Sequence, residues 1–135
     1  PEYEPVRAGF DNNWLKPGQV ALVEHIYAIQ EPSRIRAAYE WYSPAVGNIL
    51  RRFHGTSCGS TCNFVGRPQE DPCGLGSCTI CNICMHGFKL DGNVGATARR
   101  TGFGLRYRNG IYFSSVSGKA NDYAAGTKRV RLPRR

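Results

Sequence analysis

The pattern of hydrophobic and polar positions predicts helices in the first half of the chain. From Pro17 to Pro32, apolar side chains recur at helical spacing, which predicts a helix that ends at Pro32. A second helix is predicted after Ser33, a candidate N-cap, and Pro44 is expected to interrupt it. The apolar positions are Val20, Leu22, Val23, Ile26, Tyr27 and Ile29 in the first helix, and Ile35, Ala38, Tyr39 and Tyr42, expected to face inward, in the second.

The remaining segments have weaker patterns. Residues 1–16 are polar and aromatic without a period, and we expect them to be extended. Asn48–His54 and Gly110–Ser114 have strand composition, and Ser117–Ala125 predicts a short helix. The sequence contains no repeat. The predicted organisation is a single domain over residues 1–135, a cysteine-rich insert at 55–87 and a basic tail at 124–135.

Composition narrows the class of protein. The chain of 135 residues is 41% hydrophobic and 21% charged, which is typical of a folded domain and not of a disordered chain. No apolar run approaches the roughly 18–20 residues that cross a bilayer, so we do not expect an integral membrane protein. We expect a monomer. The start at Pro1 has no recognisable signal peptide, which favours the cytoplasm.

The charge is strongly positive. The formal net charge is +8, and fourteen of the eighteen basic residues are Arg. No acidic residue follows Asp122, whereas five basic residues crowd the last eight positions. Arg binds phosphate in a two-point geometry, so RNA or a phosphate-bearing nucleotide is a plausible partner. The alternative is a solvated basic tail without a specific partner.

All six cysteines lie between Cys58 and Cys84. Short Cys-x2-Cys loops suit a tetrahedral zinc ion with Zn–S distances of about 2.3 Å, and a disulfide framework is the alternative. Crowding into one short segment favours zinc. The segment has little hydrophobic pattern, so metal binding would supply the free energy that orders it. A tetrahedral ion has four ligand positions, so two of the six cysteines would remain unused, and His86 is a further candidate ligand.

Three motifs follow one another along the chain: Phe53-His54-Gly55-Thr56, then Gly110-Ile111-Tyr112-Phe113-Ser114, then Ser117-Gly118-Lys119-Ala120-Asn121-Asp122-Tyr123. A Gly after a strand-end His lets a ligand approach the backbone. Two Tyr rings can sandwich a flat heterocycle. The alternative is a core histidine with two packing tyrosines.

Together the motifs resemble the catalytic core of the poly(ADP-ribose) polymerase family of ADP-ribosyltransferases, from about Val20 to Tyr123. The resemblance is closest to fungal members with a cysteine-rich insert after the His-Gly-Thr motif. It implies an α+β fold: a truncated ADP-ribosyltransferase-like split sheet with N-terminal helices and a zinc-binding loop, clasping NAD. Two positions depart from the family, because Ala120 replaces a Ser and no Glu follows Glu70. That Glu stabilises the charge that develops as nicotinamide leaves.

The resemblance also implies roles for individual residues. His54 would bond the adenosine ribose, Gly55 would hold the nicotinamide amide through its backbone, and Tyr112 and Tyr123 would stack on the nicotinamide. Lys119 lies where the family has the Lys of its Ser-Lys-Ser motif. The implied catalytic residues are His54, Tyr112 and Tyr123; the NAD-binding set adds Gly55, Thr56, Ser117 and Lys119; the implied zinc ligands are Cys62, Cys73, Cys78 and Cys81, leaving Cys58 and Cys84.

Three functions remain open from the sequence. The first is NAD cleavage or binding by an ADP-ribosyltransferase-like protein. The second is a small basic ribonuclease acting on ribosomal RNA, since size and charge resemble the ribotoxin-like proteins of mushrooms. The third is a non-catalytic, zinc-stabilised module that binds a nucleotide or RNA. In the ribonuclease, His54 and Tyr112 would serve as acid and base, His86 or His25 as a second imidazole, and Arg99, Arg100, Arg106 and Arg108 as phosphate clamps.

Overall fold

A computed structural model describes residues 3–59, 61–67, 71–89 and 110–124. Within these ranges lie four helices and one isolated antiparallel pair, Phe53 with Ser114. No helix in these ranges is long and apolar enough to cross a membrane. The helices are α1 (Tyr3–Asn12), α2 (Ser33–Val46), α3 (Thr79–His86) and α4 (Ser117–Asn121).

Helix α1 replaces the extended segment predicted at the start of the chain, so that prediction was wrong. Pro5 lies in its first turn, where a missing N–H leaves no intrahelical hydrogen bond unmade. The Phe10 ring packs against Trp14, with ring centroids 5.5 Å apart, and edge-on against Phe53 at 6.0 Å. The Phe10–Phe53 contact joins residues 43 positions apart, so it has no signature in the local pattern, and it holds the end of α1 against the segment before His54.

The helix predicted between Pro17 and Pro32 is absent, and the prediction was wrong. Most of its apolar positions are β-branched, which lowers helix propensity. Val20 and Leu22 are 87% and 83% exposed, so no core is available to stabilise one helical face. Among the described residues, Val23 and Ile26 are half-buried, whereas the other four apolar positions of the segment are exposed.

Helix α2 lies close to its predicted position, but its details differ. Pro32 occupies the N-cap position and Ser33 is the first helical residue, so Ser33 is not the cap. Pro44 lies inside the helix, which continues to Val46 and ends at Gly47 with a φ of 64°. Tyr39 and Tyr42, expected to face inward, are exposed, as is Ala38, whereas Ile35 is half-buried.

Helix α4 packs against the end of α1. The Ser117 backbone N–H donates to the Asn13 carbonyl at 2.9 Å, and the Ser117 hydroxyl donates to the Phe10 carbonyl at 2.7 Å. Lys16 forms an ion pair with Asp122 at 2.5 Å. The helix ends at Asn121, earlier than predicted. Within the described ranges, buried residues lie in two places only: Ser117, Gly118 and Ala120 in α4, and Cys78 and Cys81 in the insert.

The two predicted strands are represented, in the described ranges, by the single Phe53–Ser114 pair. Each residue donates its N–H to the other's carbonyl, at 2.8 and 2.9 Å. These two reciprocal hydrogen bonds fix an antiparallel register in which His54 lies opposite Phe113 and Gly55 lies opposite Tyr112. The split α+β sheet stays a prediction.

Candidate metal centre and the His54 region

Four cysteines of the insert converge on one point. The Sγ atoms of Cys62, Cys73, Cys78 and Cys81 all lie within 4.8 Å of one another, and those of Cys62 and Cys81 are 3.5 Å apart. A tetrahedral ion with metal–sulfur bonds of about 2.3 Å holds its sulfurs about 3.8 Å apart. The cluster therefore matches the size of a four-sulfur metal site, and these four cysteines can hold a metal ion. They are the four that the resemblance implies.

Backbone N–H groups point at these sulfurs. Gly59 donates to Cys78 Sγ at 3.3 Å, Phe64 to Cys62 Sγ at 3.4 Å, and Cys73 to Cys81 Sγ at 3.3 Å. Cys78 is also the N-cap residue of α3, where the helix dipole favours negative charge. Donors aimed at sulfur stabilise thiolates more than thiols. The surroundings thus suit the deprotonated form that binds metal.

The thiols of the cluster do not titrate alike. Burial raises the pKa of Cys78, but hydrogen bonds from the Gly59 and Cys81 backbone and from neighbouring thiols outweigh it, and the pKa falls to about 7. Burial raises the pKa of Cys81, and hydrogen bonds with Cys62 and Cys73 raise it further. Negative charge therefore gathers first on Cys78, the buried sulfur beside three other thiols.

The other candidate ligands lie outside the four-sulfur group. Cys58 is exposed and Cys84 is half-buried on α3, and burial raises the pKa of both thiols. His86 lies at the end of α3, where its Nδ1 is 3.3 Å from the guanidinium of Arg34. Since guanidinium only donates, Nδ1 is the acceptor there. All six cysteines are free thiols in this structure.

His54 lies beside the Gly110–Ser114 motif. Its Nδ1 is 2.9 Å from the Tyr112 carbonyl oxygen, which can only accept, so Nδ1 carries the proton. In the neutral ring, Nε2 then holds the lone pair. His54 and Tyr112 are each partly buried. The bond joins two of the three motifs across 58 positions of sequence.

The third motif lies against Gly55. A Cβ at Gly55 would lie 1.7 Å from the Ala120 carbonyl oxygen, so only glycine fits there. Ala120 is the position where the family has a Ser. The same carbonyl accepts the Tyr123 N–H at 3.0 Å, which holds Tyr123 at the end of α4 near Gly55. The described structure thus brings His54, Gly55 and the α4 segment into one region.

The remaining predicted NAD-binding residues differ in exposure. Thr56 is half-buried, Lys119 is exposed and Tyr123 is 43% exposed. Ser117 is 1% exposed and its hydroxyl is engaged by Phe10, so its side chain serves the α1–α4 contact.

Two site residues were missed from the sequence. The Phe88 and Phe113 rings contact the His54 ring, with centroids 5.0 and 5.4 Å away, and each other at 5.0 Å. Phe113 follows from the strand register, which places it opposite His54. Phe88 has no local signal, because it lies 34 positions after His54.

The proposed phosphate clamps Arg99, Arg100, Arg106 and Arg108 lie outside the described residues. His25, the other candidate imidazole, stacks on Tyr27 with ring centroids 5.7 Å apart. The chain matches no known family model, no curated protein and no solved structure.

Proposed function

We propose that this protein is a zinc-stabilised, ADP-ribosyltransferase-like protein that binds NAD beside His54. The zinc component rests on the four-sulfur group. Four thiolates close a tetrahedral coordination sphere and leave no position for a water ligand, which makes the ion structural and not catalytic. Cys78 and Cys81 are fully buried, so the ligands form one of the two buried centres in the described ranges.

The proposal of NAD binding rests mainly on one observation. The His54 ring is hydrogen-bonded to the Tyr112 backbone carbonyl, while Gly55 packs against α4. Three motifs that are far apart in sequence therefore share one region, which supports the proposal of a common binding site. The Nδ1–H···O bond to Tyr112 fixes the tautomer, so Nε2 of the neutral ring is the atom that accepts a hydrogen bond from a ribose hydroxyl.

Binding is the part of the activity that these residues support most directly. No Glu follows Glu70 within residues 1–135, so these residues do not themselves include the carboxylate that stabilises the departing-nicotinamide transition state in the family that the motifs resemble. Removing one such group typically lowers the rate by about 10²–10³-fold. We therefore expect NAD to bind and nicotinamide release to be slow.

The test is NAD binding by calorimetry with zinc-loaded protein, alongside an assay for nicotinamide release. In His54→Ala the hydrogen bond to ribose is lost, which predicts about 5–10-fold weaker binding. In Tyr112→Ala the stacking on nicotinamide is lost, which predicts at least about 5-fold weaker binding. His25→Ala is the matched control, because His25 is exposed and stacks only on Tyr27 within the described ranges.

Unchanged NAD affinity in His54→Ala, or no NAD binding by any form, would contradict the proposal. In the second case intact ribosomes are the next substrate. If the wild type released a discrete RNA fragment from ribosomes and His54→Ala did not, the ribonuclease hypothesis would replace the proposal of NAD binding.

A further inference from the structure

The cysteine insert begins directly after His54, and Phe88, the first residue after the insert, contacts the His54 ring. The Phe88 ring meets the His54 ring edge-on, at 77° with centroids 5.0 Å apart. It meets Phe113 in the same way, at 73° and 5.0 Å. Two phenylalanine rings therefore contact the His54 ring. Phe113 comes from the segment that pairs with residue 53, and Phe88 directly follows the cysteine insert.

Helix α3 connects the four-sulfur group to Phe88. Its N-terminal end carries two of the four cysteines, Cys78 as N-cap and Cys81 in the first turn. Its C-terminal end is followed by Gly87, with a φ of 72°, which turns the chain so that Phe88 reaches His54. Eight residues of helix span about 12 Å. The sulfur group and Phe88 are therefore joined by one short helix, so the order of that helix affects both ends.

In the described ranges, α3 is also held by hydrogen bonds from its Asn82 side chain to the Leu75 and Gly76 carbonyls, at 3.4 and 2.9 Å, and by contacts near its C-terminal end. The Arg34 guanidinium donates to the Met85 carbonyl at 2.9 Å and lies beside His86, and both contacts are exposed. Gly87 approaches the side chain of Ile35. A helix of eight residues is marginal in water by itself. Metal ligation by Cys78 and Cys81 would therefore add a constraint at the N-terminal end of α3 that its own hydrogen bonds do not supply.

We propose that Phe88 is a positioning residue that couples metal binding at the four-sulfur group to the orientation of the His54 ring. The regulatory consequence rests on the proposed NAD-binding function: metal-loaded protein binds NAD more tightly than metal-free protein. Linkage is reciprocal, so NAD raises the metal affinity by the same factor. A ratio of roughly 5–50-fold is expected for a coupling of ordinary size.

The first test does not use NAD. The ring resonances of His54 are followed by NMR in metal-loaded and chelator-treated protein. We expect metal removal to shift them in the wild type, because the Phe88 ring leaves. In metal-loaded Phe88→Ala they already lie near the metal-free position, and chelation moves them little further. Phe88→Tyr keeps the ring and restores the wild-type response.

Tyr39→Ala, which truncates an exposed aromatic on α2, is the control and is expected to respond as the wild type does. Metal content and circular dichroism of loaded Phe88→Ala establish that the variant folds. His54 resonances that ignore metal removal, or that respond equally in wild type and Phe88→Ala, would overturn the coupling.

The second test measures NAD affinity with and without zinc. We expect the ratio of the two affinities to fall towards one in Phe88→Ala. Absence of NAD binding in every form, with His54 resonances that still respond to metal through Phe88, would refute the NAD function and leave the coupling intact. NAD binding with equal affinity in loaded and metal-free protein would overturn the regulatory consequence alone.

Discussion

Cys81 and Cys84 lie one turn apart on α3 and provide a matched pair of thiols. Cys81 is fully buried in the four-sulfur group, and Cys84 lies outside it. Cys81→Ser is expected to lose stoichiometric zinc and to lower the melting temperature by about 5 °C or more, because the ion stabilises only the folded chain. Elemental analysis and thermal unfolding measure both effects.

Cys84→Ser, and likewise Cys58→Ser, are expected to keep about one zinc ion per chain, since four thiolates fill the site. If Cys84→Ser released the metal as Cys81→Ser does, the assigned ligand set would be wrong.

The pH dependence of metal binding follows from the same thiols. Protons and metal compete for sulfur, so metal affinity falls as the pH falls. Cys78, whose pKa is lowered to about 7, is largely ionised at pH 8, whereas Cys81, whose pKa is raised, must release a proton to bind. Calorimetry in buffers of different ionisation enthalpy should therefore show more protons released on metal binding at pH 6 than at pH 8, by about one, because Cys78 is protonated at the lower pH.

The lowered pKa of Cys78 also makes the folding stability of the metal-free protein depend on pH. Because the folded pKa of Cys78 lies below the usual thiol value of 9, its contribution to stability is present above pH 9 and is lost as the pH falls through 7. Proton release that rises from pH 6 to pH 8 would contradict the assigned order of ionisation.

At the scale of elements, the segment after His54 is fixed to α4 through Gly55. Gly55→Ala is expected to destabilise the protein by about 1–3 kcal/mol, because its Cβ would lie 1.7 Å from the Ala120 carbonyl oxygen. Gly76→Ala is the control, since no described heavy atom lies within 4 Å of a Cβ there. Urea unfolding measures the difference, and equal stability of the two variants would show that Gly55 does not pack on α4.

The elements also show where pattern and propensity diverge. Ser33–Val46 is helical as its spacing predicts, although its tyrosines remain exposed. The segment from Pro17 to Pro32 has similar spacing but no helix, and most of its apolar residues are β-branched. Helix propensity therefore separates the two segments where periodicity does not, since Ser33–Val46 is rich in Arg and Ala, which favour a helix.

For the whole molecule, a chelator should lower the melting temperature by several degrees, and added zinc should restore it. The physical reason is that the two buried centres in the described ranges are small, and one of them belongs to the four-sulfur group that can hold a metal ion. Intact-mass measurement after alkylation under native and denaturing conditions, without reductant, provides the control. Six alkylated thiols in denaturant are expected. An unchanged melting temperature together with six oxidised thiols would instead indicate disulfides.

The sequence by itself determined the number and crowding of the cysteines, the basic balance and the short motifs around His54, Tyr112 and Tyr123, because these are local properties of the chain. The spacing of the six cysteines did not show which four bind the metal. The family resemblance implied Cys62, Cys73, Cys78 and Cys81. Tertiary structure decided that those four converge, that Ser117 serves the α1–α4 contact and that Phe88 lies on His54. Such contacts join residues far apart in sequence, so their formation depends on the path of the whole chain and not on any local pattern.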